Sequence, residues 1–313
     1  MKKSVLTVTL NPALDRTVTL PFLQVGGLNR IKEMRTDPGG KGINVTKVLQ
    51  QFGDQVTAVG LAGGYAGKQL IAYLKALNIN CEFIPIQGET RTNLKIVDED
   101  QGLTTEINER GAEVNDAEKE LLLSKMDLLL DQASVLVLGG SLPPGLPVSI
   151  YKELIEMATA KGVKTILDAD GSALSEGLKA KPFAIKPNIH ELEELLDMKL
   201  ETDQQIVEAA RRLLGEGTKW IIVSMGGAGS IFISEDQIVR ARPFPIVPQS
   251  TVGAGDSMVA AISSCLLRER SLEETARWAT AAGSITASKP GTEVCSLEEV
   301  NAHLKDVIIS DGY

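Results

Sequence analysis

The sequence has few of the residues that support metal or histidine chemistry. Three cysteines, Cys81, Cys265 and Cys295, and two histidines, His190 and His303, occur among its 313 residues. The cysteines lack metal-binding spacing and cannot all pair, so we predict reduced thiols and a cytoplasmic location. Two histidines argue against a histidine-based triad or a histidine-rich zinc site.

Long apolar runs and an excess of positive charge are also missing. No run reaches the length of a transmembrane helix, and Asn11 and Pro12 end the apolar start too early for a signal peptide. The formal net charge of −9 argues against an extended nucleic-acid surface, although a local basic pocket for a small anion is compatible with it. We therefore predict neither a membrane nor a nucleic acid as partner.

Short β-branched runs alternate with helical patterns along the chain. The predicted strands are residues 5–10, 56–61, 135–138, 164–168, 183–186 and 220–224, and the predicted helices are 42–52, 68–77, 117–132, 149–161, 190–196 and 203–214. Continuous apolar strands separated by such helices indicate an α/β fold with a mostly parallel central sheet covered on both faces. No linker or low-complexity segment divides the chain, which favours one domain over residues 1–313.

Segments 13–36 and 90–110 depart from this alternation. Both alternate roughly in period two, as half-buried antiparallel strands do. We predict a small separate sheet over one edge of the main domain, acting as a lid, a subunit contact or both, with a plain surface hairpin as the alternative. An isolated small sheet is marginal in water, so a second subunit is expected to cover its apolar face. The residues spaced to supply such faces are Leu94, Ile96, Leu103 and Ile107.

The segment 250–257, Ser-Thr-Val-Gly-Ala-Gly-Asp-Ser, is the most informative in the chain. Two glycines at the start of an apolar helix leave backbone N–H groups bare, and the helix dipole adds positive potential there. Asp256 places a carboxylate inside this anion-binding turn. A base beside a phosphate cradle is what transfer of a phosphoryl group to an alcohol requires. The alternative interpretation is a glycine turn with an aspartate helix cap.

Further glycine-rich loops follow predicted strands, at the sheet edge where parallel α/β proteins bind ligands. Residues 38–45, Pro-Gly-Gly-Lys-Gly-Ile-Asn-Val, resemble a phosphate loop without matching G-x-x-x-x-G-K-[ST], and a glycine turn with a solvated lysine looks the same. Ser141 lies on a rigid turn. The glycines in 226–229 indicate either close approach to a ligand or a hairpin.

Four polar residues have both a structural and a functional interpretation. Asn188 and Glu191 either form a helix capping box or position a hydrated Mg²⁺ through water, since Mg²⁺ keeps several waters and few protein ligands. Arg91 can fork onto phosphate oxygens or be solvated. Asp15 can accept hydrogen bonds from substrate hydroxyls or shape a turn.

Taken together, these motifs resemble the ribokinase-like sugar kinases of the phosphofructokinase-B type, essentially from end to end of the chain. The specific signatures are residues 39–45 and 250–257. Four shorter motifs stand in the expected order: Asn-Pro-Ala-Leu-Asp at 11–15, Gly-Ser-Leu-Pro-Pro-Gly at 140–145, Lys-Pro-Asn-x-x-Glu at 186–191 and Val-Ser-Met-Gly at 223–226. The resemblance implies a three-layer α/β/α fold, a small β-sheet lid that also joins a homodimer, and ATP with Mg²⁺.

The resemblance also implies roles for individual residues. Asp256 would be the catalytic base, with Gly253, Ala254 and Gly255 as the anion hole for the transferring phosphoryl group. Asn188 and Glu191 would organise Mg²⁺ through water. The other implied contacts are Lys186, Asn188, Glu191, Ser224, Gly226 and Gly229 for the nucleotide, Asp15, Gly40, Asn44 and Ser141 for the sugar, and Ser250, Val252, Ala287 and Gly291 for a monovalent cation such as K⁺.

Three cations indicate a phosphorylated sugar as substrate. Lys41 and the Glu-Thr-Arg motif ending at Arg91 resemble 1-phosphofructokinases and tagatose-6-phosphate kinases, and with Arg30 they are predicted to hold the substrate phosphate. Ala254 fits the former slightly better, which predicts conversion of fructose 1-phosphate to fructose 1,6-bisphosphate. Some fructose-6-phosphate kinases carry a lysine just before the arginine at position 30, which this chain lacks. Tagatose 6-phosphate, fructose 6-phosphate and a non-catalytic binding regulator stay as alternatives, and the three cations argue against a kinase for an unphosphorylated sugar or nucleoside.

Overall fold

The computed structural model describes residues 4–311, and within them the strands form two sheets. The strands are β1 (Ser4–Thr9), β2 (Ala13–Leu20), β3 (Glu33–Gly39), β4 (Gln55–Gly63), β5 (Asn80–Ile86), β6 (Arg91–Asp98), β7 (Leu103–Ile107), β8 (Val135–Gly139), β9 (Lys164–Asp168), β10 (Ala184–Ile185), β11 (Trp220–Ser224), β12 (Ser230–Ile233), β13 (Ile238–Arg242) and β14 (Ile308–Asp311). The large sheet has the order β14-β13-β12-β11-β10-β9-β8-β1-β4-β5, and the small sheet has the order β3-β2-β6-β7.

The helices are α1 (Lys41–Gln51), α2 (Gly64–Ala76), α3 (Asp116–Leu130), α4 (Ile150–Ala160), α5 (Gly171–Leu178), α6 (Ile189–Leu196), α7 (Asp203–Gly215), α8 (Ala254–Leu267), α9 (Leu272–Ala287) and α10 (Leu297–His303). Five of them begin with a capping box, in which a polar N-cap side chain and a Glu or Gln at N3 satisfy each other's backbone N–H groups. Within residues 4–311, no helix is long and apolar enough to cross a membrane.

The large sheet is parallel from β11 to β5 and antiparallel at the other edge, where β12, β13 and β14 add as successive antiparallel strands. Both faces are buried, because successive side chains of one strand enter different cores. In β8, Leu136 and Leu138 pack with residues of α3 to α7, while Val135 and Val137 pack with α1, α8 and α9. The predicted three-layer α/β/α fold is confirmed.

The direction of the strand order reverses beside β1. This strand pairs with β4 on one side and with β8, far along the chain, on the other. A crevice therefore opens beyond the carboxyl ends of β1 and β8, because the connections that follow these two strands run in opposite directions. The site described below lies at this edge of the sheet.

The small sheet contains the two segments that were predicted for it, and β3 extends it to Gly39. Within each segment the strands pair antiparallel, as predicted: β2 with β3 and β6 with β7. The two hairpins, however, join through a parallel pairing of β2 with β6 that the sequence did not indicate. The cause is that β1 and β5 run in the same direction, and β2 and β6 continue from their carboxyl ends.

Candidate active site

The turns after β1 and β8 meet at the crevice. The side-chain amide of Asn11 lies 3.3 Å from the hydroxyl of Ser141 and donates to the carbonyl of Arg110 at 3.1 Å. Ser141 is exposed at this point, as a substrate contact requires. The two motifs that were predicted to contact the sugar therefore lie side by side, although 130 residues separate them.

The glycine loop before α1 packs directly on β1. A Cβ on Gly40 would lie 2.5 Å from Cγ2 of Thr9, and a Cβ on Gly42 would lie 2.7 Å from the carbonyl oxygen of Val8. Gly40 also has a φ of 126°, which favours glycine. The loop can therefore approach the crevice closely, and it places Lys41 and Asn44 on the first turns of α1.

Asp168, at the end of β9, lies between two lysines. One of its carboxylate oxygens is 3.1 Å from the ammonium of Lys41 and 3.5 Å from that of Lys186. Burial acts against the charge of Asp168, but Lys186 and Lys41 overcome it and hold the pKa of Asp168 below its ordinary value. Burial also disfavours the ammonium of Lys41, yet the charges of Asp168 and Glu191 outweigh it and raise the pKa of Lys41.

Asp256 is buried on the first turn of α8, behind a glycine turn. Gly253 caps the helix with a φ of 78°, and a Cβ on Gly255 would lie 3.4 Å from the ammonium of Lys186. The carboxylate of Asp256 accepts a hydrogen bond of 2.8 Å from the side-chain amide of Asn44. Burial, followed by the negative charge of Asp168, raises the pKa of Asp256 to about 6. A base with that pKa is deprotonated at neutral pH and still attracts a proton.

A cavity of about 720 Å³ opens beside this turn. Four residues predicted for the nucleotide line it, together with two of the predicted anion hole: Asn188, Ser224, Gly226, Gly229, Ala254 and Gly255. The wall also includes Phe244, Met258 and Thr280, which were not predicted. One side of the cavity is formed by the backbone of the glycine turns, and the other side by apolar side chains. Such a cavity suits a ligand with a polar end and a flat apolar end.

Asn188 and Glu191 form the capping box of α6. The Asn188 side chain accepts from the backbone N–H of Glu191 at 2.9 Å, and the Glu191 carboxylate accepts from the N–H of Asn188 at 2.8 Å. The predicted capping box is therefore present. It uses one carboxylate oxygen of Glu191, so the other oxygen can accept a further hydrogen bond. That carboxylate is close enough to raise the pKa of Lys41. An oxygen donor set of this kind fits a hydrated Mg²⁺ held through water.

The residues predicted for a monovalent cation lie on the loop before α8, at the end of α9 and on the loop that follows α9. The hydroxyl of Ser250 donates to the carbonyl of Gly291 at 2.8 Å and accepts from the N–H of Val252 at 3.3 Å. The carbonyl of Ala287 accepts the N–H of Ser250 at 3.3 Å. The set is thus brought together, and the Ser250 hydroxyl and the carbonyls of Ala287 and Gly291 accept hydrogen bonds from the protein.

Arg35 of β3 contacts the second of these loops. Its guanidinium donates to Asp37 at 2.7 Å and to the hydroxyl of Thr292 at 3.1 Å. The small sheet is therefore tied to the chain segment that follows α9.

The small sheet carries two of the predicted substrate residues. Asp15 of β2 accepts from the amide of Asn93 at 2.9 Å and lies 3.9 Å from the ammonium of Lys95. Arg91, at the start of β6, donates to the carbonyls of Asn11 at 3.1 Å and Glu109 at 3.2 Å. Arg91 thereby reaches the crevice where Asn11 meets Ser141.

The three predicted cations are not joined to one another. Arg30 is exposed in the loop between β2 and β3, and no hydrogen bond or ion pair of residues 4–311 connects it to Lys41 or Arg91. Lys41 is paired with Asp168. Of the three predicted cations, Arg91 is the one held beside Asn11, where the turns after β1 and β8 meet.

Several charged and polar neighbours of the site were missed from the sequence: Asp168, Lys47, Asn93 and Lys95. For Asp168 a signal existed, because an aspartate closes the predicted strand 164–168, where a buried parallel strand reaches the binding edge. Lys47 lies on the helix that follows the glycine loop and looks like a solvated lysine. Asn93 and Lys95 lie in the predicted segment 90–110, where their pattern indicates a hairpin and no site residue.

The glycine turn with the buried carboxylate of Asp256, the neighbouring cavity and the crevice lined with polar residues fit a phosphotransferase that acts on small molecules. The family model described as pfkB family carbohydrate kinase matches residues 8–299, so the chain belongs to the pfkB family of carbohydrate kinases. The predicted family and the predicted kinase activity are thereby confirmed.

Individual relatives are similar over nearly the whole chain. A 1-phosphofructokinase from Xanthomonas campestris pv. campestris is 39% identical over 287 residues, which cover 90% of each protein. The crystal structure of phosphofructokinase-2 from Escherichia coli in complex with potassium has a TM-score of 0.91 and 33% identity, and covers 97% of this chain and 100% of its own. The tetrameric inhibited form of the same enzyme has a TM-score of 0.90 and 32% identity, with the same coverage.

Proposed function

We propose that the protein transfers the γ-phosphoryl group of ATP to the C6 hydroxyl of fructose 1-phosphate and forms fructose 1,6-bisphosphate. The observation that carries this proposal is the position of Asp256. Its carboxylate is buried behind the glycine turn of α8, and its pKa is raised to about 6. The similarity to a 1-phosphofructokinase over 90% of the chain supports the choice of substrate.

Asp256 acts as the general base in this proposal. It removes the proton of the attacking hydroxyl, and Asn44 holds the carboxylate in place through the 2.8 Å hydrogen bond. The backbone N–H groups of Gly253, Ala254 and Gly255 stabilise charge on the transferring phosphoryl group. Asn188 and Glu191 would hold Mg²⁺ through water, and bound Mg²⁺ supplies charge neutralisation to the phosphates.

Two lysines complete the charge balance at the transfer point. Lys186 is buried beside Gly255, and Lys41 extends from α1 to Asp168. Both ammonium groups face a site that also holds the carboxylates of Asp168 and Asp256, so the pocket offers positive charge to an incoming phosphate without a large net charge of its own.

The phosphate already on the sugar is assigned chiefly to Arg91. Its guanidinium reaches the crevice from β6, and its two contacts with backbone carbonyls use Nε and Nη1. Lys41 and Arg30 are secondary candidates, because Lys41 is paired with Asp168 and Arg30 would have to move from its exposed loop. Asp15, Gly40 and Ser141 contact the sugar itself.

Fructose 6-phosphate is the second candidate substrate. The crystal structure of phosphofructokinase-2 from Escherichia coli matches 97% of this chain with a TM-score of 0.91 and 33% identity. A ketohexose phosphorylated at either end presents a free hydroxyl at the other, so the same base and the same phosphate site serve both. Tagatose 6-phosphate differs from fructose 6-phosphate in the configuration of one hydroxyl group.

The small sheet is proposed to be a lid and a dimer contact within a single kinase domain. Large apolar side chains on it or on its connecting loops are half exposed or more, including Leu28, Met34, Leu103 and Ile107. A second copy would cover them, and closure over the sugar would exclude water. Monovalent-cation binding at Ser250, Val252, Ala287 and Gly291 is part of the same proposal.

The test is a turnover assay with ATP, Mg²⁺ and a panel of fructose 1-phosphate, fructose 6-phosphate, tagatose 6-phosphate, fructose and tagatose. We expect the highest kcat/KM with fructose 1-phosphate and little turnover of the free sugars. A higher kcat/KM with fructose 6-phosphate would select the second candidate, and no turnover of any sugar, with ATP still bound, would favour a binding regulator.

A further inference from the structure

Lys47 is a part-buried lysine whose ammonium points into the protein at the back of the active site. It lies one turn after Asn44 on α1. Its ammonium donates to the carbonyl of Pro38 at 2.6 Å and lies 3.4 Å from the side-chain oxygen of Asn44. The other end of the Asn44 amide donates to Asp256 at 2.8 Å. A single amide thus separates this lysine from the proposed base.

The two neighbours of Asn44 allow only one orientation of its amide. An ammonium has donors and no acceptor, and an ionised carboxylate has acceptors and no donor. With the observed orientation, oxygen faces Lys47 and NH₂ faces Asp256. A flipped amide would set its oxygen against the carboxylate and its NH₂ against the ammonium, and both contacts would be repulsive.

We propose that Lys47 is a positioning residue for phosphoryl transfer: it fixes the orientation of the Asn44 amide, which in turn holds the carboxylate of Asp256 toward the substrate. The proposal rests on the assignment of Asp256 as base. Lys47 itself touches neither substrate. It also holds the carbonyl of Pro38, at the start of the glycine loop, and this second contact gives it an alternative, purely structural role.

The charged groups around Lys47 and Asp256 determine in which direction a substitution of Lys47 changes the pKa of Asp256. Asp15, Asp37, Asp256 and Arg35 face Lys47, and Asp168, Lys41 and Lys186 face Asp256. Replacing Lys47 by Met removes a nearby positive charge and frees Asn44 to leave the carboxylate. Both changes favour the protonated form of Asp256, so its pKa should rise in this variant.

The first experiment needs no substrate. Protein labelled with ¹³C at the carboxyl groups of aspartate is titrated by NMR, with the Asp256 signal assigned by the Asp256→Asn variant. We expect Lys47→Met to titrate at higher pH than the wild type, while Lys47→Arg, which keeps a donor, and Lys161→Met, which removes a lysine paired with Asp127 and Asp131 outside the site, leave the Asp256 titration unchanged. An unchanged titration in Lys47→Met would overturn the proposal.

The second experiment separates the two roles of Lys47 by a double-mutant cycle, using the sugar phosphate that the wild type turns over fastest. Lys47→Met should lower kcat about tenfold to a hundredfold, the effect of a lost hydrogen bond to a charged group, with KM for ATP unchanged. In an Asn44→Ala background the same change should cost less than about twofold, because the two residues act in series. An equal loss in both backgrounds would assign the effect to Pro38 and contradict the proposal.

The results that would refute the proposed function differ from those that would refute the role of Lys47. If the wild type turns over none of the sugar phosphates, the proposed function fails, and the Asp256 titration alone decides about Lys47. If Lys47→Met does not fold, Lys47→Ala, which also removes both the charge and the donor, enters the same two experiments. A Lys47→Ala variant with wild-type titration and wild-type kcat would likewise overturn the proposal.

Discussion

The ammonium of Lys41 lies 3.1 Å from a carboxylate oxygen of Asp168, although 127 residues separate them in the chain. The same carboxylate oxygen is 3.5 Å from Lys186, so one buried anion pairs with a residue proposed for the sugar phosphate and with a residue proposed for the nucleotide. Removing the charge of Asp168 would leave the ammonium groups of Lys41 and Lys186 close together with less compensating negative charge.

We therefore expect Asp168→Asn to lower the free energy of unfolding at pH 7. Removing one partner of a buried ion pair costs about 3–5 kcal/mol, and the partial exposure of Lys41 puts the expected loss at or below the lower end. The pKa of Asp168 is lowered in the fold, so its contribution is present above the unfolded pKa, about 3.9, and is lost as the pH falls through the folded pKa.

Urea denaturation at pH 7 and at about pH 3.5 checks this expectation, since the difference between wild type and variant should shrink at the lower pH. Asp116→Asn is the matched control, because the side chain of Asp116 is 94% exposed. An equal free energy of unfolding for Asp168→Asn and the wild type at pH 7 would mean that the ion pairs of Asp168 with Lys41 and Lys186 do not stabilise the fold.

Asp256→Asn should keep ATP binding and lose most of kcat. The loss of a positioned base costs on the order of 10²–10⁴ in rate. Asparagine has nearly the same shape and can still accept from Asn44, so the site should stay folded. Rapid-quench measurement of a single turnover, with calorimetry for ATP affinity, checks both parts. Near-wild-type turnover would remove Asp256 from the role of base.

The pH dependence of kcat/KM should have an acid limb near pH 6. Burial first, and then the charge of Asp168, raise the pKa of Asp256 to about 6, and only the deprotonated carboxylate can take the proton. The rate should fall about tenfold for each pH unit below that value. A pH-rate profile in buffers of constant ionic strength measures the limb, and a flat profile down to pH 4.5 would contradict the assignment.

Arg91→Ala should raise KM for the sugar phosphate far more than KM for ATP. A charge-assisted hydrogen bond is worth about 1.5–3 kcal/mol, which corresponds to roughly a 10- to 150-fold change in affinity. Steady-state kinetics with each substrate varied in turn gives both constants. Arg211→Ala, on the exposed side of α7, is the control for a lost arginine. Equal effects on both KM values would place the sugar phosphate elsewhere.

The small sheet should join two subunits. Leu103 and Ile107 are more than half exposed on β7, and a charge on each should prevent another copy from covering them. We expect the wild type to be a dimer by light scattering at micromolar concentration and the Leu103→Glu, Ile107→Glu double variant to be a monomer. Leu128→Glu, on an exposed face of α3, should stay dimeric. A wild-type monomer with full activity would refute this assignment.

The sequence predicted the parallel strands and their helices well because their signals are local. Residues 164–168 and 220–224 agree with β9 and β11 to the residue, and the capping box of Asn188 and Glu191 was visible from a spacing of three. Helix α9 (Leu272–Ala287) was missed. Most of its side chains are buried, so it lacks the polar face that gives a surface helix its period.

The pairings that create the site could not be predicted, because they join distant parts of the chain. The parallel pairing of β2 with β6, and the contacts of Asp168 with Lys41 and Lys186, exist only once the large sheet has set its strand order. Lys47 gave no signal, since a lysine on a helix reads as solvated until the packing shows where its ammonium lies. Arg30 shows the opposite case: it was predicted to hold the substrate phosphate together with Lys41 and Arg91, and the structure places it in an exposed loop.

The contact of Arg35 with Thr292 has a consequence for how the two substrates influence each other. It fastens the small sheet, which is the proposed lid, to the loop that contacts Ser250 beside the glycine turn of α8. We therefore expect a displacement of that sheet either to shift the loop beside the anion-binding turn or to break this contact. In the first case the two substrates of the proposed reaction would influence each other's binding, and reciprocity requires that each change the affinity for the other by the same factor.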